Sequence, residues 1–242
     1  MLKDCIPQEN YREECPVCRR AKKHCLCPFV SPFDNTFHFI ILMSIAEYKY
    51  QRTGSGLLAH LTLNNSEIIS GDDFTENRRV NEIIGDDSAN KLILYPGKNA
   101  INFADLRKKM QESVKNTSDL VKNNDKITFS EEKPTYIFVI DGTWRGARKI
   151  MHLSQNLKQI QCISFSGQYL SNFRIKKQPE AHCVSTIESI YYLLKEAEEN
   201  GFAAKTDRKQ ALLYIFDKMI EVQLSYSRQH HHRREDNRKI KT

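Results

Sequence analysis

Tryptophan is all but absent from this chain: its 242 residues contain one, Trp144. No apolar run approaches the roughly 18 residues that a membrane-crossing helix needs, so no membrane span is expected. Met1 to Asn10 carry two acids and one base and lack an apolar stretch. No secretory leader is therefore expected, and an intracellular protein is: cytoplasmic, or nuclear if the source is eukaryotic. Internal repeats are also missing, which argues against a solenoid. Hydrophobic residues make up 40% of the chain and charged residues 28%. That balance is slightly polar for a globular protein but leaves enough apolar side chains for a sizeable core. The length suits one large domain, or one medium domain with an attachment.

What the chain does have is positive charge and clustered cysteine. The formal net charge is +7, which favours a polyanionic partner, nucleic acid first. Of seven cysteines, four fall in "CPVCRRAKKHCLC": Cys15, Cys18, Cys25 and Cys27. In a reducing compartment such a cluster points to metal rather than to disulfides. Four thiolates so close in sequence suit one tetrahedral zinc. His24 is an alternative ligand, and an iron–sulfur cluster is a rival occupant. The interposed Arg19, Arg20, Lys22, Lys23 and His24 are expected to help keep the thiols ionised.

Apolar runs and turn residues lay out the rest. Strands are expected at Thr36–Leu42, Ser66–Ser70, Lys91–Gly97, Thr135–Ile140 and Ile160–Phe165. Helical spacing is expected over Gly56–Leu63, within Asp72–Gly85, and over Phe103–Val114, Trp144–Leu157, Ser185–Asn200 and Asp207–Leu224. Asn116–Pro134 reads as a surface insertion and Ser171–Pro179 as a basic loop. The strands are apolar on both faces and alternate with helices, so an α/β fold is expected, with a mostly parallel sheet covered on both sides. Three segments are expected: a Cys-rich zinc-binding segment (1–35), a main α/β domain (36–227) and a basic, flexible tail (228–242) that contains His230, His231 and His232.

Ligands of such sheets bind outside the carboxyl ends of the strands. Three strand ends carry unusual residues: Tyr95-Pro96-Gly97, Asp141-Gly142-Thr143-Trp144, and the turn that begins at Ser164. If their strands are neighbours, the three turns line one crevice. Asp141 is then placed as a general base, or simply as a helix N-cap, a role open to Thr143 as well. Trp144 stacks on a ligand or packs in the core. Gly97 and Gly142 allow close backbone approach. Ser185-Thr186-Ile187-Glu188 reads as a capping box, with Glu188 at its third helical position, or as a further wall of the crevice.

The order of a cysteine cluster, "YPG", "DGTW" and "STIE" resembles the DTW-domain family, from about Cys15 to Gln223. The resemblance implies a tRNA-uridine aminocarboxypropyltransferase that moves the 3-amino-3-carboxypropyl group of S-adenosylmethionine to N3 of a uridine, releasing methylthioadenosine. It also implies kinship with the SPOUT methyltransferases, with a C-terminal trefoil knot, and a homodimer as in SPOUT relatives. Carried onto this sequence, the donor site comprises Tyr95, Pro96, Gly97, Asp141, Gly142, Thr143, Trp144, Ser164, Ser185, Thr186 and Glu188. Asp141 is the expected catalytic residue. Arg52, Thr53, Arg145, Lys149 and Arg174 are expected to meet the tRNA, and the four cysteines Zn2+. Glu47, Arg52, Thr53 and Gly54 resemble a further family segment, in which many relatives place His-Pro before the glutamate; here Ser44-Ile45-Ala46 stands instead. Two other readings keep the same pocket or the same knuckle: a SPOUT-type RNA methyltransferase, and a non-catalytic zinc-binding RNA-interaction protein.

Overall fold

The structure is a computed structural model that describes residues 13–51, 54–97, 99–115, 129–173 and 183–239. Five strands form one sheet: β1 (His38–Met43), β2 (Ser66–Ser70), β3 (Asn90–Leu94), β4 (Thr135–Asp141) and β5 (Gln161–Ile163). Their order is β2-β1-β4-β3-β5, and every pairing is parallel. The expected "mostly parallel" sheet is thus wholly parallel among the described residues. Around it lie helices α1 (Ile45–Tyr50), α2 (Ser55–Thr62), α3 (Arg78–Ile84), α4 (Phe103–Lys115), α5 (Trp144–Leu153), α6 (Thr186–Glu199) and α7 (Gln210–Lys239).

Two hydrophobic cores follow from the two-residue period of a strand. On β1, Phe39, Ile41 and Met43 enter one core, while Ile40 and Leu42 enter the other. The β4 residues Ile137 and Val139 join the first set, and Phe138 the second. The larger core receives α2, α4, α6 and α7 through side chains such as Leu58, Phe103, Ile190 and Phe216. The smaller takes α3 and α5 through Val80, Ile83 and Ile150. The cysteine-rich segment is anchored to the larger core by Leu26 and Phe33, both buried.

Local chemistry explains most element ends. Ser44 starts α1 by accepting from the Glu47 N–H at 3.2 Å. Gly201 follows α6 with φ of 76°, and Arg107 donates to the Asn200 carbonyl at the helix end from Nε (3.1 Å) and Nη2 (2.9 Å). Several boundaries differ from expectation. The helix begun at Trp144 stops at Leu153, and a 3-10 turn takes Gln155–Gln159. The Ser154 hydroxyl at that stop accepts from the Phe74 amide at 3.0 Å. β5 is confined to Gln161–Ile163; beyond it the Ser164 N–H donates to the Ile101 carbonyl at 2.8 Å, and the Ser166 and Gly167 amides donate to Glu196. α7 continues well past Leu224, to Lys239, so the backbone of the expected tail is helical that far; no Gly or Pro interrupts Gln210 to Lys239. α1 was not expected, since its six residues show no apolar period.

Candidate functional site

Sheet order brings the three unusual strand ends together. β3, β4 and β5 all terminate on one edge of the sheet, and β4 sits between β1 and β3. A cavity of about 360 Å³ opens there, within the range of small-molecule sites. Its walls are Tyr95 and Pro96 after β3, Asp141 to Trp144 after β4, Ser164 and Phe165 after β5, and Ser185 and Thr186 at the start of α6.

Asp141 closes β4 and is only 2% exposed. Its main-chain carbonyl accepts from the Ser44 N–H at 3.0 Å, extending the β1–β4 pairing by one bond. Its Oδ1 accepts from Thr186 Oγ1 at 2.5 Å, a bond that ties β4 to α6 across 45 residues. On the α2 side the carboxylate lies against Gly56. A Cβ at Gly56 would stand 2.4 Å from Oδ2 and 2.5 Å from Cγ, so the helix backbone approaches the acid at a distance that only glycine permits. Asp141 is therefore not an N-cap; Thr143 caps α5, its hydroxyl accepting from the Gly146 N–H at 3.1 Å.

Trp144 belongs to neither core. It is 36% exposed and stands on the cavity wall. Tyr95 shares that wall, and burial raises its phenol above the usual value, keeping it a neutral hydroxyl. Glu47, 7% exposed on α1, is a second buried carboxylate of the cavity. Sequence reasoning noted Glu47 only within a family-like segment. The Ser44-x-x-Glu47 spacing, a capping-box pattern, is the signal that would have placed it at a helix start. Among the described residues, no lysine, arginine or histidine lines this cavity.

Glu188 and Gly97 do not line it. Glu188, 1% exposed, accepts from the Ser185 N–H (2.7 Å) and hydroxyl (2.6 Å), the Ser171 hydroxyl (2.8 Å) and the Asn172 N–H (2.7 Å). It is a clasp that fastens the loop carrying Phe173, a cavity-lining residue, to the start of α6. Glu196 does the same two turns later. It accepts from the Ser166 and Gly167 amides and the Tyr169 hydroxyl, and so holds the loop after Ser164 and Phe165. Glu196 escaped the sequence reading because its partners are some thirty residues away.

Of the basic residues, Arg145 is exposed on α5, and Lys149 pairs with Asp72 at 2.8 Å. Arg52, Thr53 and Arg174 lie outside the described residues.

The four clustered cysteines converge. Cys15 Sγ and Cys27 Sγ are 3.6 Å apart, and Cys18 Sγ and Cys25 Sγ 3.8 Å. All four sulfurs lie within 4.8 Å of one another, which is room for one ion. A tetrahedron with metal–sulfur bonds of about 2.3 Å has edges of about 3.8 Å. The geometry is compatible with zinc. The cationic Arg20 beside the sulfurs is 4% exposed, and its Nε and Nη2 have no hydrogen-bond partner among the described residues. A buried, underused guanidinium complements the negative charge of a tetrathiolate centre. The other bases do not crowd the thiols as expected. Arg19 turns to Tyr48, Lys22 to Glu13, and the His24 ring meets Tyr226 edge-on, so His24 is not part of the sulfur cluster. Backbone amides, first that of Cys18, hold the Cys15 thiol down to about 6.

Residues 12–224 match the DTW domain family. Three curated relatives, each named tRNA-uridine aminocarboxypropyltransferase 2, are similar along most of the chain. The Macaca fascicularis protein is 31% identical over 227 residues, covering 90% of this chain and 68% of its own length. The Mus musculus protein is 28% identical over 204 residues (83% and 62%), and the Drosophila melanogaster protein 24% over 232 residues (93% and 81%). The chain thus spans about two thirds of the length of the first two. No solved structure matches it significantly.

Proposed function

The chain belongs to the DTW domain family, and on that premise we propose that it transfers the 3-amino-3-carboxypropyl group of S-adenosylmethionine to N3 of a tRNA uridine. One observation carries this reading: among the described residues, the cavity at the strand ends is lined by two buried carboxylates, Glu47 and Asp141, and by no basic side chain. Such a cavity disfavours phosphorylated cofactors and suits a cationic ligand. S-adenosylmethionine carries a sulfonium, an ammonium and one carboxylate, for a net charge of about +1. Its cations suit the Asp141 and Glu47 side, while the positive starts of α5 and α6 on the wall suit its carboxylate.

Asp141 is the proposed catalytic residue. The N3–H proton passes to the Asp141 carboxylate, the N3 electron pair forms the bond to carbon, and the carbon–sulfur bond breaks with its electrons on sulfur. The sulfonium leaves as the neutral thioether methylthioadenosine. Thr186, held at 2.5 Å, and Gly56 fix the orientation of the acid. The four cysteines would hold a structural zinc that fixes the knuckle. The remaining expectations stand in this reading: a donor site that extends to Tyr95, Pro96, Thr143, Trp144, Ser164 and Ser185; a division at 35/36 and 227/228; a SPOUT-type knot and a homodimer; and an intracellular location. No helix among the described residues is long and apolar enough to cross a membrane.

Incubation with unmodified tRNA and S-adenosylmethionine tests the proposal. Nucleoside mass spectrometry should show aminocarboxypropyl-uridine with the natural chain, and none with Asp141→Ala. A methylated nucleoside with S-adenosylhomocysteine as by-product would replace it by the methyltransferase reading. No product with any tRNA would leave only RNA binding.

A further inference from the structure

A second cavity, of about 300 Å³, adjoins the first: Glu47 and Asp141 line both. Its other walls are of a different kind. The cysteine knuckle supplies Cys18 and Arg19, α1 supplies Tyr48 and Lys49, and Leu57 and Ile68 form an apolar side. Here the acids face cations and an aromatic ring, whereas no cation lines the first cavity among the described residues.

Arg19 and Tyr48 form one plate across two elements. The guanidinium carbon lies 4.1 Å from the centre of the Tyr48 ring, Nη2 donates to the Tyr48 hydroxyl at 2.7 Å, and Nη1 donates to its carbonyl at 3.4 Å. Arg19 achieves this at a backbone φ of 56°, making it the one non-glycine residue with positive φ among the described residues. That conformation costs glycine nothing and costs arginine steric strain. Strained residues of this kind concentrate where a side chain is used. Arg19 also lies between the cluster cysteine Cys18 and the buried Arg20, so the knuckle that gathers the thiols also sets the plate.

We propose that the second cavity receives the uracil of the RNA substrate, displaced from its neighbours and laid on the Arg19–Tyr48 plate with its N3 edge toward Asp141. This rests on the reading of the first cavity as the donor site. A group transfer needs both reactants to meet at one point, and two cavities that share a buried carboxylate provide it. The uracil edge presents acceptor, donor, acceptor. The carboxylate answers the central N–H, and Lys49 and Gln51, both on this wall, are donors of the kind its two carbonyls need. Bases taken out of a stack are commonly held on aromatic or guanidinium planes, and basic side chains at the rim suit the flanking phosphates.

The test uses the full chain with Arg19→Gly, Tyr48→Ala and Tyr48→Phe. Glycine accepts the positive φ, so Arg19→Gly keeps the knuckle's backbone and its zinc content, measured by elemental analysis. Donor affinity is read from the fluorescence of the lone Trp144 in the first cavity, RNA affinity from the anisotropy of labelled unmodified tRNA, and turnover from nucleoside mass spectrometry. Tyr48→Ala is expected to lose roughly 5- to 150-fold in kcat/KM for tRNA, the value of one stacked base. Arg19→Gly should lose at least severalfold, and Tyr48→Phe, which keeps the ring but loses the bond from Arg19, should lose less than Tyr48→Ala. S-adenosylmethionine affinity should change less than about twofold in all three. Natural tRNA affinity and kcat/KM in both Arg19→Gly and Tyr48→Ala would overturn the proposal. So would a loss confined to donor affinity, which would assign the cavity to the donor. Absence of product from the natural chain would sink the transferase reading instead; the tRNA affinities of the variants would still decide for or against the cavity.

Discussion

Replacing Gly56 by alanine separates two physical expectations. Gly56 lies in the first turn of α2, and helix propensity alone favours alanine by up to about 1 kcal/mol. The site predicts the opposite. The new methyl would stand 2.4 Å from Asp141 Oδ2, 2.5 Å from Cγ and 3.0 Å from Oδ1, whereas ordinary contact begins at 3.4 Å. Either α2 or the carboxylate must retreat by about 1 Å. The carboxylate is buried and held by Thr186, so it has little room to do so. Overpacking of this size costs about 1–3 kcal/mol. The net expectation is a loss of about 1–2 kcal/mol, seen as a melting temperature lower by roughly 2–8 °C for a chain of this length. A 1 Å displacement of a catalytic group costs about 100-fold in rate. Urea denaturation and steady-state uridine modification measure the two effects separately. A Gly56→Ala protein that is more stable than the natural chain and turns over within about twofold of it would refute the close approach and, with it, the fixed orientation of Asp141.

Three further outcomes are expected. Glu188→Gln places an amide N–H₂ where one oxygen accepts, so one of four donors faces another donor; about 2–3 kcal/mol of stability should be lost in urea, and an unchanged midpoint would remove the clasp. Lys209 Nζ lies 2.6 Å from Glu198 Oε2, with both side chains about nine-tenths buried. Lys209→Met should leave the acid uncompensated and cost about 3–5 kcal/mol by calorimetry or denaturation; a neutral result would mean that water reaches the pair. The Cys15→Ser/Cys18→Ser double variant should lose about one zinc per chain by elemental analysis and expose the knuckle to protease, and full retention of metal would rule out the cysteine site.

Much of this protein was legible in its sequence because the relevant physics is local. The strand runs Thr36–Leu42 and Thr135–Ile140 are apolar at consecutive positions (Phe39 to Leu42, Ile137 to Ile140), and the sheet buries both of their faces. Ser185-x-x-Glu188 carries its own cap, and the knuckle's four thiols converge within a short loop. The Asp141-Gly142-Thr143-Trp144 turn ends a strand, as its residues require. What the local pattern left open was which elements meet. The order β2-β1-β4-β3-β5 depends on crossovers between distant segments, and it alone sets Asp141 beside Gly56 and Thr186. It also turns Glu188 away from the cavity to hold a loop, and brings Glu47 to the cavity on a short helix with no hydrophobic period. Trp144 shows the division most clearly. Side-chain chemistry permits either pocket or core, and only the stacking of α5 against the strand ends decides for the cavity wall. Sequence determined the elements and their chemistry, because caps, turns and alternation act over a few residues; tertiary structure decided the site, because a buried carboxylate acquires its neighbours only when the sheet closes around it.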